Sequence, residues 1–302
     1  MYSSHPPVGG QVNGFYTQRW VHYNINQIIM KKLLYLFCIS VFLIQANAQD
    51  EQKGNIAEIN GIKMYYEVHG SGEPLVLLHG FFASSDWWDF VIDDLSQHFQ
   101  LIIPDLRGHG RSTNPLDHWT MSQSAKDIFA LLDNLGIEKF HGIGVSTGAK
   151  TILHMATQDT QRVASMVLIG GTMYYPDQFR ESVREGNHTI DNLTERRWAS
   201  LRKIHIHGDE QIRKLYKQFN ECAEDYNDMA FTPPSLSRIK AKTLIIHGDR
   251  DWAYPASMAL KMYESIPNSY LWIVPRGGHV PITGVLSDMF IETTLVFITR
   301  WK

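Results

Sequence analysis

Cysteine is almost absent from this chain: two occur in 302 residues, Cys38 and Cys222. With no paired-Cys spacing and no H-E-x-x-H, the sequence announces neither a disulfide framework nor a metal site. An excess of charge of one sign is missing too. Lys and Arg total 28 against 31 Asp and Glu, the net charge is −3, and no basic run exceeds two residues. Such a balance offers no electrostatic footprint for nucleic acid. The chain also has no internal repeat and no low-complexity tract. By exclusion, the expected partner is a small, mostly uncharged molecule, and no cofactor is implied.

Long apolar runs are scarce as well. The one near the N-terminus, Leu33 to Ile44, is too short to span a bilayer comfortably. Met30, Lys31 and Lys32 precede it and Ala46-Asn47-Ala48 follows it. A positive segment, an apolar segment and a small-x-small site, in that order, make a secretory signal peptide. Translation is therefore expected to start at Met30, with residues 1–29 an upstream extension and residues 30–48 the signal. Cleavage would leave Gln49 first, in the periplasm or outside the cell, with no stable membrane span remaining. Only Cys222 would survive, so no intramolecular disulfide could form, and a domain of this size can rely on its core instead.

Beyond residue 55 the hydrophobic pattern becomes regular. "NIAEI" and "IKMYYEVHG" read as a hairpin turned by Asn60-Gly61. "PLVLLHG" (74–80) is a continuous apolar run, the signature of a strand buried on both faces. Helical and strand-like runs then alternate through "VASMVLIGG" (163–171) and resume at "AKTLIIHGD" (241–249). The expected fold is α/β, a mostly parallel, doubly wound, eight-stranded sheet covered on both faces. Residues 49–171 and 241–302 would form its core, and residues 172–240, polar and mostly helical in pattern, a cap.

Within that frame, Gly144-Val145-Ser146-Thr147-Gly148 fits G-x-S-x-G where a buried strand gives way to a helix. A serine on so sharp a turn needs small residues two positions either side. It also needs a base, itself oriented by a third group. Asp249 and Asp251 follow one late strand and His279 follows the next. Residues just past the carboxyl ends of parallel strands converge on one edge of the sheet. The order serine, aspartate, histidine completes a nucleophilic set.

From about residue 55 onward the chain resembles the α/β-hydrolase fold superfamily, through "LLHG" (77–80), "PDLRGHGRS" (104–112), "GVSTG" (144–148), "GDRD" (248–251) and "GGH" (277–279). The resemblance implies Ser146 as nucleophile, His279 as base and Asp251, rather than Asp249, as the residue that orients it. It implies an oxyanion hole made by the backbone N–H groups of Thr147 and Phe81, and it makes His79 and His109 loop-shaping residues. A serine at 146 argues against the relatives that use aspartate there, the epoxide hydrolases and haloalkane dehalogenases.

Phe82, Tyr174 and Trp252 are the candidate substrate contacts; Trp87 and Trp88 also fall near the expected mouth, but on a helix they read as core packing rather than pocket lining. The expected protein is an exported serine hydrolase of a small to medium carboxylic ester. The same machinery would equally serve carbon–carbon bonds, lactones or amides, and a non-catalytic binding protein on this fold is the alternative from another class.

Overall fold

The computed structural model describes residues 54–300, so the expected extension, the signal segment and residues 49–53 lie outside the described part. At its start, Asn60 and Gly61 both take positive φ, 45° and 74°, and fold β1 (Asn55–Ile59) back onto β2 (Ile62–His69). A two-residue turn in the left-handed region matches the right-handed twist of the strands, and Asn-Gly tolerates it best.

The chain continues through β3 (Glu73–Leu78), α1 (Asp89–Leu95), β4 (Phe99–Pro104), α2 (Met121–Asn134), β5 (Phe140–Val145), α3 (Thr147–Gln158) and β6 (Val163–Ile169). Helices α4 (Asp177–Arg184), α5 (Glu195–Ile204), α6 (Asp209–Glu221) and α7 (Pro233–Leu236) come next. Then β7 (Lys242–Gly248), α8 (Ala256–Ser265), β8 (Ser269–Val274) and α9 (Ser287–Thr299) complete the fold. The eight strands form one sheet in the order β1-β2-β4-β3-β5-β6-β7-β8. Pairing is antiparallel for β1–β2 and β2–β4 and parallel from β4 to β8.

Alternation along β3 explains why its apolar run is unbroken. Val76 and Leu78 face one cluster with Ile128 and Leu131 of α2, Ile152 of α3 and Met262 of α8. Leu75 and Leu77 face the opposite cluster with Val91 and Leu95 of α1 and Phe290 and Phe297 of α9. Each fully buried side chain of this kind contributes roughly 1.5–3 kcal/mol. Trp88 belongs to the second cluster and is wholly buried, and Trp87 packs against the same cluster. As the helical pattern suggests, these two tryptophans are core, because the short helical turn Ser85–Trp88 packs with α1 against this cluster.

The segment between β6 and β7 docks on the loop that follows β4. Gln211 of α6 donates to the carbonyls of Gly108 (2.9 Å) and Gly110 (3.0 Å), while His205 accepts from the N–H of Gly110 (3.0 Å). Inside the segment, buried Arg180 donates to the carbonyls of Tyr175 (3.1 Å) and Asp225 (2.9 Å). These bonds tie α4 to the end of α6. Among the described residues no helix is long and apolar enough to cross a membrane.

Candidate active site

Ser146 sits between β5 and α3 with φ 51° and ψ −107°, a conformation that non-glycine residues rarely adopt. Two glycines make the turn possible. A Cβ on Gly144 would run into the backbone of Gly148, and a Cβ on Gly148 into the carbonyl of Leu78 in β3. The strain is held by the surrounding sheet, for the Ser146 N–H donates to the carbonyl of Ile169 at the end of β6 (2.8 Å).

His279 lies past the end of β8 and Asp251 past the end of β7. The two loops are fastened together by the N–H of Asp249 donating to Val274 O (3.2 Å) and that of Arg250 to Gly277 O (2.8 Å). Across them, His279 Nδ1 stands 2.8 Å from Asp251 Oδ2 and His279 Nε2 stands 2.9 Å from Ser146 Oγ. With the proton on Nδ1, the imidazole donates to the carboxylate and accepts from the serine hydroxyl. Asp251 Oδ1 accepts from the N–H groups of Ala253 (2.8 Å) and Tyr254 (3.2 Å). Burial by itself would raise the Asp251 pKa. The bonds and charge of His279, with those two amides, outweigh it and hold the carboxyl below its ordinary value. Asp249 makes none of these contacts and stands beside Arg250 instead (3.9 Å).

The loop after β3 brings Phe81 to the same place. Its N–H and that of Thr147, the first residue of α3, donate to no other protein group among the described residues. Phe82 takes a positive φ of 62°, turning the loop sharply. His79 holds the loop in position, its Nδ1 donating to Gly80 O (2.7 Å) and its Nε2 accepting from the N–H of Leu106 (3.0 Å). Burial pushes its pKa down to about 4, and that of His109 to about 3, so both stay neutral and structural.

Ser146, Thr147, Phe81 and His279 line a cavity of only ~30 Å³, walled further by Lys150, Tyr175, Phe179, Phe219, Cys222, Trp252 and Tyr254. That is about the volume of one water molecule. Ligand pockets span roughly 300–1,000 Å³, so aromatic walls must move before a substrate can occupy it. Larger clefts of ≈ 830 and ≈ 900 Å³ lie elsewhere and contain neither Ser146 nor His279.

Of the three expected substrate contacts, Trp252 lines the cavity, its ring centroid 6.0 Å from that of His279. Phe82 does not. It packs on Tyr216 (4.3 Å) and Phe219 (5.3 Å), behind the wall. Tyr174 faces away, accepting from Lys261 Nζ (3.3 Å), while its neighbour Tyr175 enters the cavity. The segment is extended there, bridged to Ala230, so successive side chains point to opposite sides. Lys150 and Tyr254 had no place in the motif reasoning. No local signal marked Lys150, because the burial of Thr147 to Ala156 in α3 comes from tertiary packing. No group of three or more His, Cys, Asp or Glu among the described residues is arranged to hold a metal ion.

Comparison with known proteins places the fold. The family model described as alpha/beta hydrolase fold matches residues 73–196. The 2-hydroxy-6-oxo-6-(2'-aminophenyl)hexa-2,4-dienoic acid hydrolase of Metapseudomonas resinovorans is 25% identical over 258 residues, covering 80% of this chain and 89% of its own. Among solved structures, a meta-cleavage product hydrolase from Pseudomonas fluorescens IP01 superposes with a TM-score of 0.69 at 22% identity, over 83% of this chain and 99% of that one. The enol-lactonase from Burkholderia xenovorans LB400 gives a TM-score of 0.65 at 22% identity, over 82% of this chain and 100% of that one.

Proposed function

The chain belongs to the α/β-hydrolase fold superfamily and is a hydrolase, and from that premise we propose that it works by covalent serine catalysis on a small carbonyl compound. The observation that supports this most is the continuous path from Asp251 Oδ2 through His279 to Ser146 Oγ, with steps of 2.8 and 2.9 Å. In this reading Ser146 Oγ attacks the carbonyl carbon and His279 Nε2 takes its proton. Asp251 keeps the imidazole in the required tautomer and stabilises its cation. The N–H groups of Phe81 and Thr147 receive the oxyanion, each donor of this kind contributing on the order of 10²–10³ in rate. His279 then hands its proton to the leaving group. A water activated by the same imidazole releases the acyl group from Ser146.

The bond we favour is a carbon–carbon bond beside a ketone or the ester of a lactone. The relatives reported above favour these over the simple carboxylic ester that the sequence suggested. In the carbon–carbon case the leaving group departs as an enolate and His279 protonates it. Both reactions use the same attack and the same oxyanion site. A parallel assay of p-nitrophenyl acetate, a γ-lactone and a 2-hydroxy-6-oxo-dienoate, the last followed by loss of its colour, would decide between them. Turnover of the p-nitrophenyl ester alone would return the assignment to an esterase. Turnover of all three by the Ser146→Ala variant would overturn the mechanism.

We place the enzyme outside the cytoplasm on the strength of the Met30–Ala48 segment. N-terminal sequencing of the exported protein should read from Gln49. Retention of residues 30–48 on the mature chain would refute that cleavage. Residues 172–240 are proposed as a cap, since Tyr175, Phe179 and Phe219 from that segment wall the cavity.

A further inference from the structure

Four residues after Ser146, on the first turns of α3, Lys150 is 96% buried, being only 4% exposed. Its neighbours in the helix, Thr147 to Ala156, are buried as well, so the side chain has no route to bulk water. Its ammonium donates to Tyr254 Oη (3.0 Å) and Tyr175 Oη (3.2 Å) and meets no carboxylate within 4.0 Å among the described residues. A lysine has three N–H donors, and only two are used. The Tyr254 hydroxyl accepts from Lys150, and its own proton has no acceptor among the described residues, whereas the Tyr175 hydroxyl donates to Met121 Sδ (3.9 Å). Both groups line the cavity that contains Ser146 and His279.

Burying an ammonium without a counter-charge is costly, and the cost is offset when an anion joins it. The cluster is rich in donors, and the two carboxylates that act on it from a distance are engaged elsewhere, Asp251 by His279 and two amides and Asp228 by the N–H groups of Met121 and Ser122. Its chemical complement is a small anionic group with oxygen acceptors, held by charge-assisted hydrogen bonds. We propose that Lys150, with the hydroxyl of Tyr254, is a binding subsite for a carboxylate of the substrate. The carbonyl compounds this enzyme hydrolyses therefore carry a carboxylate placed to reach α3 while the reacting carbonyl meets Ser146. This assignment rests on Ser146 being the nucleophile. It replaces the uncharged substrate that overall composition suggested, because a single buried ammonium is invisible in a charge balance.

Burial lowers the Lys150 pKa to about 8. The groups facing it are Tyr175 before α4, Cys222 and Asp228 after α6, Tyr254 and Asp251 after β7, and His279 across the cavity. The subsite is charged at neutral pH and loses its charge as the pH climbs past about 8.

Titration calorimetry with hexanoate and its neutral isostere hexanamide tests the proposal on the intact protein. Wild type at pH 7 should bind hexanoate about thirtyfold tighter or more, and Lys150→Met should erase that preference. Equal affinities in wild type, or a preference that survives in the folded Lys150→Met variant, would overturn it. Should that variant not fold, Tyr254→Phe must weaken the preference severalfold, and the wild-type preference must fade between pH 7 and 10. Persistence in both measurements also overturns the subsite. Labelling of Ser146 by a fluorophosphonate, run in parallel, reads the nucleophile separately. A preference without labelling retires the nucleophile, and labelling without a preference retires only the subsite.

Discussion

His279 Nδ1 donates to Asp251 Oδ2 across 2.8 Å, although Asp249 lies only two residues away on the same loop. The choice is made by the turn after β7. Asp251 N–H bonds back to Gly248 O (3.2 Å), which turns that carboxylate inward, and Asp249 is left beside Arg250 at the surface. Asp251→Asn should lower kcat by about 10⁴, since an amide favours the wrong imidazole tautomer. Asp249→Asn should stay within about twofold of wild type. Steady-state kinetics on any substrate turned over by the wild type would check both, and equal losses would put the assignment aside.

The turn around Ser146 makes a structural prediction. Gly148→Ala must push α3 away from β3, because the added methyl meets the Leu78 carbonyl. Overpacking of that kind costs about 1–3 kcal/mol, and it should also misplace the Ser146 hydroxyl. Urea unfolding and fluorophosphonate labelling measured together would show lower stability and slower labelling. A variant as stable and as reactive as wild type would contradict the tight strand-to-helix contact.

A third prediction concerns stability rather than turnover. Depression of Lys150 from 10.5 to about 8 corresponds to a folded-state cost of about 3 kcal/mol at neutral pH, as an upper limit. The unfolded lysine keeps its proton to higher pH than the folded one, so between about pH 8 and 10.5 the wild type gains stability as pH rises. Lys150→Met should therefore be more stable than wild type at pH 7, with the advantage shrinking across that window. Denaturant midpoints of the two proteins at pH 7 and pH 10 provide the measurement. A gap independent of pH would mean that the ammonium is not the source.

Access to Ser146 gives a fourth. Phe219 of α6 walls the ~30 Å³ cavity and packs edge-on against Phe81 at 5.3 Å. Phe219→Ala should enlarge the space and favour bulkier acyl groups, raising kcat/KM for a hexanoyl over an acetyl ester by about tenfold. Chain-length profiles of the two proteins would reveal the shift, and an unchanged profile would place the acyl group elsewhere.

Much of this architecture is legible in the sequence because parallel strands advertise themselves. The apolar run of β3 can be buried only from both sides, β5 and β7 are buried along most of their length, and the loops after these strands carry the candidate site residues. Asn60-Gly61 is similarly plain, since few residue pairs accept two left-handed conformations in succession. Side-chain direction is harder to read. Tyr174 and Tyr175 are neighbours of one type, and only the extended bridge to Ala230 sends the second into the cavity and the first out of it. Trp87 and Trp88 follow the Phe81 loop closely in sequence, yet they turn beneath the sheet.

The sequence by itself determined the strand-to-helix turn at Ser146, the strand ends that bear Asp251 and His279, and the class of chemistry proposed for those residues. These follow from local sterics and from the periodicity of burial, which short stretches of chain contain in full. Only the tertiary structure decided which tyrosine enters the cavity, and that Lys150 lies buried among donors without a carboxylate. Those outcomes depend on contacts between segments up to 104 residues apart, as Lys150 and Tyr254 are, and no local pattern encodes what such a residue will face.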